Sequence, residues 1–573
     1  MFDNDTIATS TAPLAPEDWT AVSQLGAAAV QSWILARIDE YTTRIHALKS
    51  AYNAAAPINR TLPAEILMEV FAQLQPSRLK NRGTSLLHVC RLWRSLLFRT
   101  PEFWVDWLTP AHNMIKAGED YLERFATSLE LTRTHSVKVS LIGLPSSALP
   151  ILSPHAQRLA SLSVTIAPED VDNLNALLTA GSTPSLAALA VRHRRPLSNA
   201  ETRLAVCLQA QCLPNLHSLS HPANSFTIDS IAPQLRHIDL FRCTCRTCNG
   251  GTEEGHSRSL PELLQLCVSL ETLRLQQALS FFPDHSGSAL TLPLLRRLEI
   301  TDDKHQYTKL LSTLALPVSC FLQIADPRSY ISLTFREGLP VDLLSSNQIS
   351  AADEVRYLHP GAPRSAGVLE THAQGVKRMR LEVPDPDFAR SLTDVREIFA
   401  PFGNLTALTI AVSNRHIRTK PDFYLLVRFP HLRRLHLGQC DTRHVITILG
   451  EAQASGGCLC PHLEELHVMW RHSDDETFEP TEAWKDIGGG GVKWHLYGPA
   501  VFAKFCKMVV YMLQRRSSLG SPLKRLSVGI LPDTASHYQD EEQWDPPALM
   551  SRLRERSVVG SMLEDVRVVC VDD

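Results

Sequence analysis

Apolar residues along most of this chain return in one arrangement: an apolar position, two mostly polar ones, an apolar position, one residue, and a third apolar position. It appears at Leu159/Leu162/Val164, Leu186/Leu189/Val191, Leu235/Ile238/Leu240, Leu270/Leu273/Leu275 and Leu295/Leu298/Ile300. It returns at Val376/Met379/Leu381, Leu405/Leu408/Ile410, Leu432/Leu435/Leu437, Leu463/Leu466/Val468, Leu523/Leu526/Val528 and Leu563/Val566/Val568. A partial copy, Leu216/Leu219, follows Pro214 and Asn215. The last two positions are two residues apart and share one face of a short strand, while the first covers the turn leading into it. Apolar stretches of helical character, Leu260–Cys267 and Phe502–Leu513, lie between copies. Stacked units of this kind predict a parallel sheet on one side and helices on the other, each unit's core completed by its neighbours. The copies are unevenly spaced. Thr301–Gly375 holds only a weak one, Ile331/Leu333/Phe335, and none lies between Val468 and Leu523. An ordinary α/β protein with parallel strands is the alternative architecture.

The first part of the chain follows a different period. Met1–Pro16 is polar and predicts a disordered tail. Glu17–Asn53 lacks proline, holds one glycine, and predicts a long helix. Along it Ile34, Ile38, Tyr41, Ile45, Leu48 and Tyr52 alternate spacings of four and three, a heptad-like seam. Two outcomes stand: a coiled-coil pair, or the preferred helix packed on the following segment and at most weakly self-associating. Ala54–Pro57 breaks the pattern. Between Ile58 and Trp107 three short helices are expected, with Thr61 as a cap, Pro63 in the first turn and Glu65 at the positive helix start. Ile66, Leu67, Val70, Phe71 and Leu74 form one apolar face; after Pro76–Gly83, Leu86, Leu87, Val89 and Cys90 continue the helical pattern, followed by Trp93, Leu96, Leu97 and Phe98. Such small helices bury little among themselves, so some of this surface calls for a partner. A further helix over Thr109–Ala126, with Tyr121, Leu122 and Phe125 inward, precedes a strand-like alternation at Leu131, Val137, Val139 and Leu141.

The order Leu62-Pro63, Glu65-Ile66-Leu67, Val70-Phe71, Val89-Cys90 and Trp93-Arg94 resembles an F-box. The continuation Leu97, Thr100-Pro101, Phe103-Trp104 is similar to F-box proteins of mushroom-forming (basidiomycete) fungi, and the repeats resemble the irregular leucine-rich repeats that follow F-boxes. The resemblance implies a substrate adaptor of a Skp–cullin–F-box ubiquitin ligase. Leu62, Pro63, Ile66, Leu67, Val70, Phe71, Val89, Cys90 and Trp93 would then form or support the surface that meets the Skp-type adaptor, which carries the cullin–RING ligase. The repeats would bind a protein substrate. The other reading is a non-catalytic leucine-rich-repeat scaffold whose F-box-like segment is a helical end cap. The expected fold class is α/β: a tail over residues 1–16, a long helix over 17–56, an F-box-like module over 57–108 and a repeat region over 109–573.

Composition narrows the chemistry. With 60 acidic and 57 basic residues, a formal net charge of −3 gives no global attraction to nucleic acid or an anionic membrane. The short basic run Arg192–Arg195 reads as a solvated loop. No apolar run is long enough to span a bilayer, and the N-terminus lacks a signal-peptide pattern. The thirteen cysteines are irregularly placed, which favours reduced thiols in cytosol or nucleus. Cys243, Cys245 and Cys248, with His237 or His256, are the best zinc-like constellation, although only one ligand pair has zinc-finger spacing. Cys458, Cys460 and His462 are a weaker one, inside a repeat copy. Gly488–Gly491 is followed by Val492 and Lys493 with no hydroxyl residue after them, so it is no phosphate loop. Gly488–Gly491, Cys248–Gly255 and His472–Glu479 read as surface loops. No catalytic motif is present. The expectation is a non-enzyme without cofactor or metal.

Overall fold

The computed structural model describes residues 14–74, 83–108, 115–116, 119–180, 183–193, 206, 208–223, 230–243, 259–283, 289–327, 335–339, 343, 346–359, 366–384, 388–412, 423–438, 442–452, 457–470, 498–530 and 565–570. It is mixed α/β, with an N-terminal helical region and a large, mostly parallel sheet. Contact density divides the chain into two units, Met1–Ala187 and Ala188–Asp573.

The first unit opens with α1 (Pro16–Gln24) and α2 (Ala27–Ala55). The single long helix expected here is two, because Leu25 and Gly26 both adopt extended backbone. Asp18 of α1 is 2% exposed and accepts from Arg37 Nε at 2.6 Å and from the Tyr41 hydroxyl, which holds α1 against one flank of α2. No residue of α2 is buried; the helix meets the following segment at its C-terminal end, where Asn53 Nδ2 donates to the Val89 carbonyl at 3.4 Å and the Asn53 carbonyl accepts from Asn59.

A short helix α3 (Pro57–Thr61) leads to α4 (Ala64–Gln73), α5 (Arg91–Leu97) and α6 (Pro101–Trp107). Thr61 does not cap α4; it ends α3 and its hydroxyl donates to the Pro57 carbonyl at 2.8 Å. Pro63 precedes the first turn of α4 in extended conformation. The helical pattern expected to run through Val89 and Cys90 stops earlier. A 3-10 turn covers Gly83–His88, and Cys90 is the extended cap of α5, its sulfur accepting from the Trp93 amide at 3.4 Å. Leu67, Phe71, Leu96, Leu97, Phe103 and Trp104 close a small core, and Trp104 Nε1 donates to the Leu97 carbonyl at 2.9 Å.

The next helix, α7 (Glu119–Leu131), lies later than Thr109–Ala126; Phe125 and Leu129 are its inward positions, and Leu131 ends it rather than starting a strand. Strands β1 (Ile115–Lys116), β2 (Val137–Ile142) and β3 (Leu159–Ile166) pair in parallel. Arg158, just before β3, donates to Thr132 Oγ1 at 2.7 Å and the Leu129 carbonyl at 2.6 Å, tying the strand to the end of α7.

The second unit is built on strands β4 (Ala188–His193), β5 (Ser218–Pro222), β6 (His237–Phe241), β7 (Thr272–Gln276), β8 (Leu290–Thr291), β9 (Arg297–Thr301), β10 (Leu314–Ala315), β11 (Phe321–Ala325), β12 (Glu354–His359), β13 (Ala366–Ala373), β14 (Val376–Pro384), β15 (Ala407–Val412), β16 (Arg434–Gly438), β17 (Glu465–Trp470), β18 (Arg525–Ile530) and β19 (Asp565–Cys570). Strands β8 and β10 pair only with each other. The remainder run β4-β5-β6-β7-β9-β11 in parallel, then β14, then β13 and β12, then β15 through β19 in parallel. Among the described strands, β13 alone is antiparallel to its neighbours, β12 and β14.

The repeated apolar positions align across this sheet. Leu219, Ile238, Leu273, Leu298, Leu322 and Met379 are successive partners, as are Leu240, Leu275, Ile300, Ile324 and Leu381, and all are at most 1% exposed. Beyond the reversal Leu408, Leu435, Leu466 and Leu526 continue one row and Ile410, Leu437, Val468 and Val528 the other. Leu216/Leu219 lacks a third aliphatic residue because His221 fills that buried position. Val376 is 53% exposed, since the first position of that copy falls at the hairpin turn into β14. The weak copy ending at Phe335 is not a strand there: Phe335 begins a helical turn, Phe335–Gly338, and packs edge-on against Tyr357 at 5.3 Å. Ile331 and Leu333 lie outside the described residues, as do most of the N-terminal tail and the three loop-like segments. Helices Leu260–Gln265 and Gly498–Ser518 occupy the two stretches read as helical; the first is fixed by the reciprocal box of Ser259 and Glu262.

Candidate functional site

The helical module separates its apolar residues into two sets. On α4, Leu67 and Phe71 are one turn apart and 1% exposed, facing the core; Ile66 and Val70, also one turn apart, are 48% and 45% exposed. Leu62 is half-buried against the core and Pro63 is exposed. Val89 is 44% exposed, and Cys90 and Trp93 are half-buried. The Trp93 ring meets Phe71 edge-on at 5.3 Å, and its Nε1 donates to Asn59 Oδ1 at 2.8 Å. Asn59 in turn donates to the Asn53 carbonyl at 2.7 Å, so one polar chain joins α2, α3 and α5. The nine residues singled out by sequence therefore divide. Leu67 and Phe71 are core, Trp93 is an internal strut, and Ile66, Val70 and Val89 are available to a partner. Sequence reasoning missed Ile58 and Leu92, exposed at 45% and 41%. Leu92 lies in the first turn of α5, and Val89 precedes the extended cap Cys90.

The second candidate surface is the polar side of the large sheet. Between the buried rows runs a register of Ser220, Asp239, Arg274, Glu299, Gln323, Arg380, Glu370 and Arg356. It continues through Thr409, His436, His467 and Ser527. Opposite charges alternate along it: Arg274 pairs with Glu299 at 3.3 Å, Arg380 with Glu370 at 2.9 Å, and Arg356 with Glu354 at 2.6 Å. Glu370 is 6% exposed; its burial is outweighed by Lys377 and Arg380, which hold its carboxyl below the usual range. A cavity of about 440 Å³ opens at the carboxyl ends of β4, β6, β7 and β9, lined by Arg192, His193, Asp239, Arg242, Cys243 and Gln276 among others. Asp239 accepts there from Ser220 at 3.0 Å and Gln276 at 3.1 Å. This surface mixes both signs of charge rather than presenting one.

The zinc-like set is divided as far as it is described. His237 begins β6 and meets His217 edge-on at 6.1 Å between ring centroids, whereas Cys243 is buried beyond the other end of the strand, roughly 15–20 Å along it. Cys245, Cys248 and His256 lie outside the described residues. Cys460 is buried, with its thiol pushed up to about 12 by burial, while His462 is exposed and stacks on His431 at 6.0 Å. Among the described residues no group of three or more His, Cys, Asp or Glu side chains is placed to hold a metal, and none of the helices is long and apolar enough to cross a membrane.

These features define a mixed α/β protein with a helical N-terminal region and an extensive, mostly parallel sheet. The sequence matches no protein-family model and no curated protein.

Proposed function

We propose that this chain is a non-catalytic substrate adaptor of a Skp–cullin–F-box ubiquitin ligase, working in cytosol or nucleus. The F-box-like module docks on the Skp-type adaptor, and leucine-rich-repeat-like units, stacked as a solenoid, present the polar side of the sheet to a protein substrate. The observation that carries this reading is the division of the motif's residues. A module that closes its own core on Leu67, Phe71 and Trp104 still leaves Ile58, Ile66, Val70, Val89 and Leu92 in water. Apolar residues kept outside a completed core are what a docking surface requires. In-register apolar rows support the repeat architecture. Transfer of ubiquitin belongs to other subunits; this chain contributes proximity.

The test is calorimetric titration of the purified chain with a Skp-type adaptor. Ile66→Asp with Val70→Asp places two carboxylates at the contact and weakens binding at least ~100-fold, on the order of the ~1.5–3 kcal/mol for burying each aliphatic side chain. The fold, read by circular dichroism, stays intact because both residues are exposed. Absence of binding by folded wild type removes the adaptor role and leaves the scaffold with a helical cap.

A further inference from the structure

Helix α2 has no buried residue along its whole length, Ala27–Ala55. Ile34, Leu35, Ile38, Ile45, Leu48 and Tyr52 are 39%, 67%, 55%, 49%, 71% and 81% exposed. A lone helix gains little stability in water, and one with an apolar stripe is normally packed on something. Its C-terminal end is fixed by the chain of hydrogen bonds from Asn53 through Asn59 to Trp93, and by Asn53 Nδ2 donating to the Val89 carbonyl at 3.4 Å.

We infer that α2 is a dimerisation helix, pairing antiparallel with α2 of a second copy about a two-fold axis. The seam Ile34, Ile38, Tyr41, Ile45, Leu48, Tyr52 averages 3.5 residues per turn, the period that keeps a stripe on one line between two supercoiled helices. Its spacings read the same in both directions, so it matches its own reverse. Antiparallel pairing sets Ile34 against Tyr52 of the second copy, Ile38 against Leu48, and Tyr41 against Ile45.

The flanking charges choose the direction. Residues beside the seam are Leu35, Arg37, Thr42, Arg44, Lys49 and Ala51, with no acid among them; Asp39 and Glu40 lie on the outer side. Parallel alignment sets Arg44 beside Lys49 of the second copy, twice. Antiparallel alignment sets Lys49 beside Leu35 and Arg37 beside Ala51, leaving one like-charge meeting, Arg44 with itself across the axis. Each Arg44 is already bridged to Glu40 of its own helix at 2.5 Å. Arg37 is bridged to Asp18 of α1, which also accepts from the hydroxyl of half-buried Tyr41, so α1 lies beside the middle of the seam. The pair removes on the order of 1,200 Å² from water, the lower edge of the range for specific interfaces.

Sedimentation equilibrium of the full chain tests this. The wild type, 63.8 kDa as a monomer, sediments at twice that mass at micromolar concentration. Ile38→Asp with Leu48→Asp weakens the dimer at least ~100-fold by charging the seam, without loss of helix signal because both residues are exposed. Lys49→Glu separates the directions: it changes the antiparallel dimer less than about threefold, but creates two attractive pairs with Arg44 in a parallel one. A monomeric wild type, a dimer indifferent to the seam variant, or a dimer tightened by Lys49→Glu each overturns the inference.

Discussion

Arg516 carries a positive charge into the protein interior. It is fully buried on Gly498–Ser518 and donates through Nη1 to the Leu459 carbonyl at 2.7 Å and through Nη2 to the Cys460 carbonyl at 2.8 Å. Cys460 has a φ of 47°, a left-handed turn that a non-glycine residue adopts at some cost. The guanidinium fork binds the two carbonyls at this turn and joins the helix to the lead-in of β17. Burial lowers the pKa of Arg516 without discharging it. Arg516→Met leaves both carbonyls without these donors and costs about 2–4 kcal/mol, read as a lowered urea midpoint. Arg516→Lys recovers only part of this, since one ammonium lacks the fork. A methionine variant within about 0.5 kcal/mol of wild type overturns the argument. Nothing in the sequence separates Arg516 from exposed Arg515, just as helical periodicity puts Leu67 and Ile66 on one apolar face. Pattern shows which residues are apolar; the neighbours decide which of them are covered.

Most strands are legible in the sequence because each needs two aliphatic residues on one face and a third at its turn. Besides the two-residue strands, two parallel strands of the second unit, β11 and β12, escape the pattern for local reasons. β11 has Ser319 at the first position, and adjacent Cys320 fills the buried place; β12 uses Ala352, Val355 and Tyr357, small and aromatic residues in the same roles. The reversal at β13 is written less locally. Val368–Ala373 is buried throughout, so it shows no alternation, and its direction depends on pairing with β12 and β14. On the polar side, equivalent positions of β16 and β17 bring His436 and His467 to 4.0 Å between ring centroids. Partial burial, His467 and Arg356 push the His436 pKa down to about 4. The folded sheet thus disfavours the imidazolium, and the unfolded chain takes up more protons below the ordinary value of 6.5. The stabilising effect of the neutral ring is present above about pH 6.5 and is lost as pH falls toward 4. His436→Gln is expected to lose about 1 kcal/mol less than wild type between pH 7 and 5 in chemical unfolding, a figure discounted for the ring's exposed edge. Equal pH slopes in the two proteins exclude this histidine as the source.

At the scale of the whole molecule, the same in-register rows make stability local. Each inner strand of the sheet completes its core with the strand on either side, and the helical module closes on its own residues. Destabilisation therefore spreads by contact and dies away with distance. Leu97→Ala removes a fully buried side chain from the module, and Leu435→Ala one that is 1% exposed in β16; each costs about 2–5 kcal/mol where it is made. Hydrogen exchange followed by mass spectrometry reads the reach of each change. Leu97→Ala is expected to accelerate exchange more than tenfold between Leu62 and Trp107 and to leave β15–β18 protected. Leu435→Ala does the reverse, with its largest effect on β15, β16 and β17. Uniform loss of protection along the chain in either variant would mean one cooperative unit and refute local coupling. Local coupling lets one surface of such a protein change without unfolding another, as the proposed separate docking of two partners requires.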